Sequence, residues 1–521
     1  MQLLFARLSV ESADSVPSAR IDCLTARVSL CVNTFVASST SWTCRGTGPE
    51  EIRQGRQTAM TTPRPIPKDV SWRGALGDST HRSVTRHLMP ILVIFYVLAY
   101  LGRSNLGYAA LTMNVDLGIS DAAFGLVAGI FFLAYFIFEV PSNILLDRFG
   151  ARKWIARILV TWGIVIICTG FVQNVEQLYI ARFLLGIAEA GFFPGVILYL
   201  SRWYLGRDAA KAAAMFMLAI PISYMIGAPI SGWIIDHAYW LGMPSWRWIF
   251  ILEGIPSVIG GIACLFVLPD RIRDVKWLND PQKEWLETSL AAEAALKPAK
   301  SEGYLTRETL LNPKIWTLIV IYFAIEMGEY GLGFWTPLII QRIGDSLSAT
   351  NVGLLTAATY VFGAAAMIVW SRSSDRHRER RWHTIGPALL CAAALVAIGY
   401  FAHSFVAVVF LAIIIAAVYA LLGPFWSLQT YFLTGATAVV GIAMINSFGN
   451  LAGFVSPYLI GAMSDWTGDQ FAGFYVIGAL MLLAALLLAA SVKNQRLRAL
   501  EDQAQADAAQ RSAVVAGEMK P

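Results

Sequence analysis

Twelve runs of about twenty mostly apolar residues follow one another along this chain, and few folds can hold them. They fall roughly at 88–112, 122–146, 154–172, 178–202, 210–235, 247–268, 315–340, 350–371, 384–402, 405–428, 437–462 and 471–492. A helix of about 20 residues crosses the hydrocarbon core of a bilayer, and within lipid only helices and closed barrels satisfy their own backbone. Continuous apolar runs of this length, without alternation, read as helix. Composition agrees: 56% of the 521 residues are hydrophobic and 14% are charged, against roughly 25% charged in soluble domains. The expected class is an all-α polytopic membrane protein. The net charge of +5 calls for no nucleic acid, because cationic loops on one side of a membrane account for it.

The longest polar stretch between spans, "DRIRDVKWLNDPQKEWLETSLAAEAALKPAKSEG", separates six spans from six. Within it "DPQKEWLETSLAAEAAL" reads as a helix, with Asp280 as cap and Pro281 next. The expected organisation is a cytoplasmic tail over 1–86, a six-helix bundle over 87–268, a central cytoplasmic loop over 269–314, a second six-helix bundle over 315–492 and a cytoplasmic tail over 493–521. Residues 1 to about 59 are rich in Ser, Thr and Arg and lack the apolar core of a signal peptide. They read as a disordered tail or as sequence upstream of a start at Met60, with the later start preferred. Cys168, Cys264 and Cys391 sit singly in apolar runs, and Cys23, Cys31 and Cys44 have no metal-ligand spacing. Neither a disulfide framework nor a metal site is expected.

The two halves carry matching marks. "DRFGARK" after the second span starts at Asp147 and "DRHRERR" after the eighth at Asp375, 228 positions later. Pro229 in "IGAPISG" and Pro457 in "FVSPYLIG" stand at the same offset. Such duplication is typical of secondary transporters, whose sites form between the halves near the bilayer midplane. Lys and Arg set the orientation. The loops after spans 2, 4 and 8 hold Arg148, Arg152, Lys153, Arg202, Arg207, Lys211, Arg376, Arg378, Arg380 and Arg381, while the opposite loops hold little beyond Arg247 and Arg342. The first set, and both termini, are therefore expected in the cytoplasm.

"NILLDRFGARKWIAR" (143–157) resembles the signature loop between helices 2 and 3 of the major facilitator superfamily: Asp147, Arg148, Gly150, Arg152 and Lys153 match, and Asn143 replaces the leading glycine. The stretches "FEVPSNILLDRFGARKWIARI", "IARFLLGIAEAGFFPGVILYLSRWY", "SWRWIFILEGIPSVI", "GLGFWTPLII" and "GIAMINSFGNLAGFVSPYLIG" are similar to its anion:cation symporter family, over roughly residues 85–490. The resemblance implies the twelve-helix major facilitator fold and transport of an organic acid such as tartrate, a sugar acid or an aromatic carboxylate, usually with protons. It implies no cofactor beyond the proton gradient, and no enzymatic step. A monomer in the plasma membrane, a bacterial inner membrane by expectation, would bind the small anion and lipid only. In that family Asp147, Arg148, Gly150 and Arg152, with Asp375 and Arg376 as their echo, belong to a gating loop. Gly227 and Pro229 resemble its helix-5 gating element.

Polar residues inside the spans are the candidate site. A charge at the bilayer centre costs at least about 2.5–3.5 kcal/mol, so such residues face the bundle interior or a cavity. Arg103 in "YLGRSN" lies near the middle of the first span, and its planar fork suits a carboxylate; it is the candidate substrate clamp. Arg182 and Glu189 are seven apart in the fourth span, on one helix face. Glu189 lies among Ala188, Ala190 and Gly191, and desolvation there disfavours a charged carboxyl, as a proton carrier requires. The family pattern likewise makes this Glu a protonation site. Glu326 and Glu329 in the seventh span are candidates for touching substrate or coupling ion, Glu329 the one retained for proton coupling; Glu139 and Glu253 are weaker. Tyr100, Asn105, Tyr330, Trp335, Trp426, Gln429, Asn446 and Asn450 are expected to complete the cavity, since amides that deep need partners.

The family usually has Asp-Arg where this chain has Gly102-Arg103. The expectation is an arginine left free of a neighbouring carboxylate, with coupling resting on Glu189 or replaced by exchange. The alternatives are an exporter of drugs or metabolites on the same fold, and a transporter-like membrane sensor. Neither a phosphate loop nor a nucleophile elbow is found, which disfavours an ATP-driven pump or an enzyme.

Overall fold

The computed structural model describes residues 74–296, 310–344, 346–402, 404–433 and 436–491; the first three cysteines, Met60 and the stretch after 491 lie outside them. The described residues form fifteen α-helices. In chain order these are α1 (Gly74–Asp116), α2 (Asp121–Phe149), α3 (Ala151–Thr169), α4 (Val175–Glu189), α5 (Phe192–Leu200), α6 (Gly206–Met217), α7 (Ala219–His237) and α8 (Ser245–Val267). Then follow α9 (Asp280–Leu296), α10 (Pro313–Ile343), α11 (Ala349–His377), α12 (Arg381–Tyr400), α13 (Val406–Phe432), α14 (Ala436–Thr467) and α15 (Ala472–Ser491). The pairs α4–α5 and α6–α7 are each one span, broken in the middle. Ten of the described segments are long and apolar enough to cross a membrane. The helix α3, with Arg152, Lys153 and Arg157 in its first two turns, and α14 complete the twelve.

Local chemistry sets the ends. Ser120 Oγ accepts from Ala123 N–H at the start of α2, and Ser348 Oγ accepts from Asn351 N–H at the start of α11. Both helices run 29 residues, and α11 begins and ends 228 positions after α2. The repeat thus extends to caps and lengths. Span 4 breaks because Gly191 turns the backbone left-handed (φ +84°), a region open to glycine without steric cost. At the start of α9, Asn279 and not Asp280 is the cap: Asn279 Oδ1 accepts from Gln282 N–H and Gln282 Oε1 accepts from Asn279 N–H. This reciprocal capping box satisfies two backbone donors at once, which an Asp280 cap followed by Pro281 would not. The helix α9 is tied to the first bundle through Glu293 Oε2, which accepts from Gly206 N–H, and through Gln282 Nε2, which donates to Ser79 Oγ.

Within the first bundle α3 packs on α8, α2 on α4, and α1 on α7 and α8; within the second α10 packs on α13 and α14, and α12 on α13 and α15. Among the described helices the halves are joined chiefly by α2 with α14, α7 with α11, and α1 with α10. The repeat marks meet there. A Cβ at Gly125 would overlap the carbonyl of Pro457, and one at Gly353 would overlap the carbonyl of Ala228 beside Pro229. Gly125 and Gly353 are themselves 228 apart, so each half presents a glycine to the other half's proline turn, and the backbones touch.

These contacts lie at the end of the molecule away from the basic loops, where polar links add to them. Arg342 pairs with Asp121 at 2.6 Å, and Asp121 also accepts from Ser464 Oγ. Asp236 accepts from Ala349 N–H (3.1 Å) and Thr350 N–H (2.8 Å), and Asp465 accepts from Ala122 N–H (2.9 Å). Each aspartate thus caps the positive N-terminal end of a helix in the opposite half. At the basic-loop end the pairs Arg202–Asp147, Arg152–Asp270 and Arg380–Asp375 each join residues of one bundle.

Candidate functional site

A cavity of about 520 Å³, mouth included, lies between the bundles on the basic-loop side of this seal. Tyr96, Tyr100 and Arg103 line it from α1, Phe132 and Tyr135 from α2, and Tyr322, Glu326, Glu329 and Tyr330 from α10. Trp426 of α13 and Asn446 and Asn450 of α14 close the other side. The α1 residues are spaced four and three apart and the α10 residues four, three and one, so each helix turns a single stripe inward.

Arg103 is held from behind. Its Nε and Nη2 donate to one oxygen of Glu189, Oε1, at 2.8 and 2.7 Å. The expectation of an arginine without a carboxylate is therefore corrected: Glu189, 86 positions away in sequence, takes that place. Glu189 is the last residue of α4, so the turn at Ala190–Gly191 directs its side chain toward α1 instead of continuing the helix. The guanidinium also lies over the rings of Tyr100 (4.9 Å), Phe131 (5.2 Å) and Tyr135 (5.4 Å). Its remaining donors stay available at the cavity wall, since guanidinium has five N–H groups. Gly102 points elsewhere: a Cβ there would overlap Ile166 Cδ1 of α3.

Several expected cavity residues lie off the wall. Arg182 is 1% exposed and sits over Phe131, with Nε and Nη2 lacking hydrogen-bond partners. Arg182 does not line the cavity, and the Phe131 ring packs against both it and Arg103. Asn105 and Gln429 are buried away from the lining, Gln429 with both side-chain polar atoms unpartnered. Trp335 belongs to the seal; its Nε1 donates to the Pro457 carbonyl and its ring meets Phe124 edge-on. Glu189 itself is reached only through Arg103, since it does not line the cavity.

Other candidates meet on the second bundle. Tyr330 Oη donates to Asn450 Oδ1 at 3.2 Å, and the Tyr330 ring packs on Phe132 at 4.3 Å, across the bundle boundary. Asn446 Nδ2 reaches Glu139 Oε1 at 3.5 Å, also across it. Glu326 and Glu329, one turn apart, both line the cavity, and Glu329 Oε1 is buried without a hydrogen-bond partner. Tyr96, Phe132, Tyr135 and Tyr322 were not singled out from sequence. The signal was present, with Tyr96 seven before Arg103, Tyr322 four before Glu326, and Phe132 and Tyr135 seven and four before Glu139, but aromatic residues on lipid-facing stripes share that spacing.

The gating candidates divide. Gly150 ends α2 (φ +88°), and Asp147 pairs with Arg202 at 3.3 Å, while Arg148 and Arg376 lie exposed nearby. Asp375 pairs with Arg380 at 2.6 Å. The Asp147 latch is thus closed within its own bundle. Gly227 packs on Leu101 of α1, also within its bundle, whereas Pro229 faces the other half.

The description "Major Facilitator Superfamily" matches residues 92–439 and 346–516. A protein of Agrobacterium vitis named "Putative tartrate transporter" is 44% identical over 406 residues, 78% of this chain and 90% of the relative. A "Quinolone resistance transporter" of Acinetobacter baumannii is 40% identical over 407 residues, 78% of this chain and 93% of the relative. Among solved structures a D-xylose-proton symporter superposes with a TM-score of 0.63 at 17% identity, over 79% of this chain and 98% of that one. Duplicated six-helix bundles, a cavity between them and a match across both halves have one reading: the chain belongs to the major facilitator superfamily and is a multi-pass secondary transporter, not an enzyme.

Proposed function

We propose that the protein takes up a small organic carboxylate together with protons, binding the carboxylate at Arg103. The observation that carries this reading is the Arg103–Glu189 pair at the cavity wall. With Glu189 ionised the guanidinium is neutralised by the protein. Protonation of Glu189 removes that charge, and the arginine then needs another anion, because a buried unpaired charge costs about 3–5 kcal/mol. A substrate carboxylate supplies it. The carboxylates of Glu189 and of the substrate thus replace one another on a single cation, so that proton and substrate bind together, and one proton moving with one monoanion carries no net charge. The name of the Agrobacterium vitis relative supports an organic acid.

In this reading the basic-loop end faces the cytoplasm of a bacterial inner membrane, with both termini there, and the structure corresponds to the state open inward. The transporter acts as a monomer, and the proton gradient is its only energy source. Arg182 adds positive potential behind the clamp without contacting substrate. A second reading, extrusion of a drug-like compound, is favoured by the Acinetobacter baumannii relative's name and by the two carboxyls opposite Arg103.

The test is uptake of labelled organic acids into proteoliposomes with and without an inside-alkaline pH gradient. Accumulation of a carboxylate that needs the gradient, with a loss of about 100-fold in Arg103→Ala, is expected on the scale of a lost charge-assisted pair. Uptake that survives Arg103→Ala, or transport of organic cations alone, sinks the proposal.

A further inference from the structure

The cavity wall is not uniformly cationic. Among the described residues that line it, Arg103 stands on the first bundle, and Glu326 and Glu329 stand on the second. Arg103 already has a carboxylate partner in Glu189, whereas Glu329 Oε1 has no hydrogen-bond partner at all. A buried acceptor without a donor is costly, and no lysine or arginine of α10, α13 or α14 reaches the lining to supply one. Glu139 of α2, in the same bundle as Arg103, meets Asn446 across the boundary but does not line the cavity. Between the two poles the walls are rings: Tyr100, Phe132, Tyr330 and Trp426 among them.

We infer that the transported molecule is a zwitterion with a compact, ring-sized body: its carboxylate meets Arg103 on one bundle, and a protonated amine or N–H donor meets Glu326 and Glu329 on the other. This rests on the carboxylate reading above and narrows it. A dicarboxylate of the same length would set its second carboxylate against the Glu326–Glu329 pair, and like charges that close repel. The aromatic walls suit the cationic end as well, because ring faces attract cations. A molecule with both poles touches both bundles at once, so its full length is read before the halves can close over it. A carboxylate lacking the second pole engages only the first bundle.

The experiment is equilibrium binding to the full-length purified protein of four probes: benzoate, 4-(aminomethyl)benzoate, terephthalate and benzylamine. The zwitterion 4-(aminomethyl)benzoate is expected to bind about tenfold or more tightly than benzoate, and terephthalate more weakly than benzoate; the factor is that of one charge-assisted hydrogen bond. Glu329→Gln and Glu326→Gln, made separately, are expected to shrink the preference for the zwitterion over benzoate to about threefold or less, and terephthalate to gain on benzoate in both. Benzoate binding that is retained in each variant and lost when Arg103→Ala is added shows that the variant is folded and that the site is the same. If benzoate and terephthalate bind as well as the zwitterion and lose affinity in Arg103→Ala, the zwitterion inference is overturned and the carboxylate reading stands. If benzylamine binds as tightly as the zwitterion and Arg103→Ala changes nothing, both are overturned. Absence of binding by all four probes overturns the inference.

Discussion

Arg103 is the residue on which the account turns, and its environment is more specific than its depth in the membrane implied. The sequence placed a guanidinium in the first span. It did not show that Glu189 would hold it through a single oxygen, because the pairing joins helices 86 positions apart in sequence and depends on the break at Gly191. Arg103→Lys retains the charge but loses the fork, and is expected to lower substrate affinity by about tenfold in a binding assay. Affinity equal to that of the unaltered protein would argue against a fork-to-carboxylate contact. Gly102 takes on a plainer role. Its Cβ position is occupied by Ile166 Cδ1, so an aspartate introduced there enters a packed interface between α1 and α3. Gly102→Asp is therefore expected to cost about 1–3 kcal/mol through crowding and burial of a polar group, read as a lower melting temperature. A variant as stable as the parent, with more charge moved per substrate, would revive the idea that this position governs proton coupling.

At the scale of helices, the legible features were those that punctuate. The Asp147 and Asp375 loops and the paired prolines stand out from apolar background and located α2, α7, α11 and α14 within the repeat. Helical phase was harder to read. Asn446 and Asn450 face the cavity while Asn105 and Gln429 do not, yet all four sit in helices apolar on every side, where no amphipathic stripe marks the inward face. The same limit hid Trp335 in the seal. The close approach of α2 to α14 and of α7 to α11 is the element-scale feature most exposed to test. Gly125→Val or Gly353→Val is expected to wedge that seal open and to reduce transport by more than about tenfold, because a core already at contact distance has no room for a branched side chain. A cysteine placed at Phe132 in a background with Cys168 replaced should then react faster with an impermeant maleimide applied from the face opposite the basic loops. Unchanged labelling and transport would show that these glycines do not set the closure.

For the whole molecule, the duplication has a mechanical consequence. Asp236 and Asp465 each cap a helix start of the other half, and Gly125–Pro457 and Gly353–Pro229 are related by the same offset. The halves close through two equivalent contacts, consistent with rocking about a central site. The two walls of that site are not equivalent, since the cation stands on one bundle and the carboxyls Glu326 and Glu329 on the other. Symmetry therefore governs the motion and asymmetry the chemistry. Substrate and proton are joined through Arg103 alone in this account, and that is its central claim. The most direct test is Glu189→Gln in proteoliposomes, scored for gradient-driven accumulation and for exchange of a carboxylate that the unaltered protein carries. Glutamine retains a hydrogen-bonding oxygen for Arg103 but can neither carry the charge nor bind the proton. The account expects exchange to persist while accumulation against a gradient disappears; accumulation equal to that of the unaltered protein would contradict it.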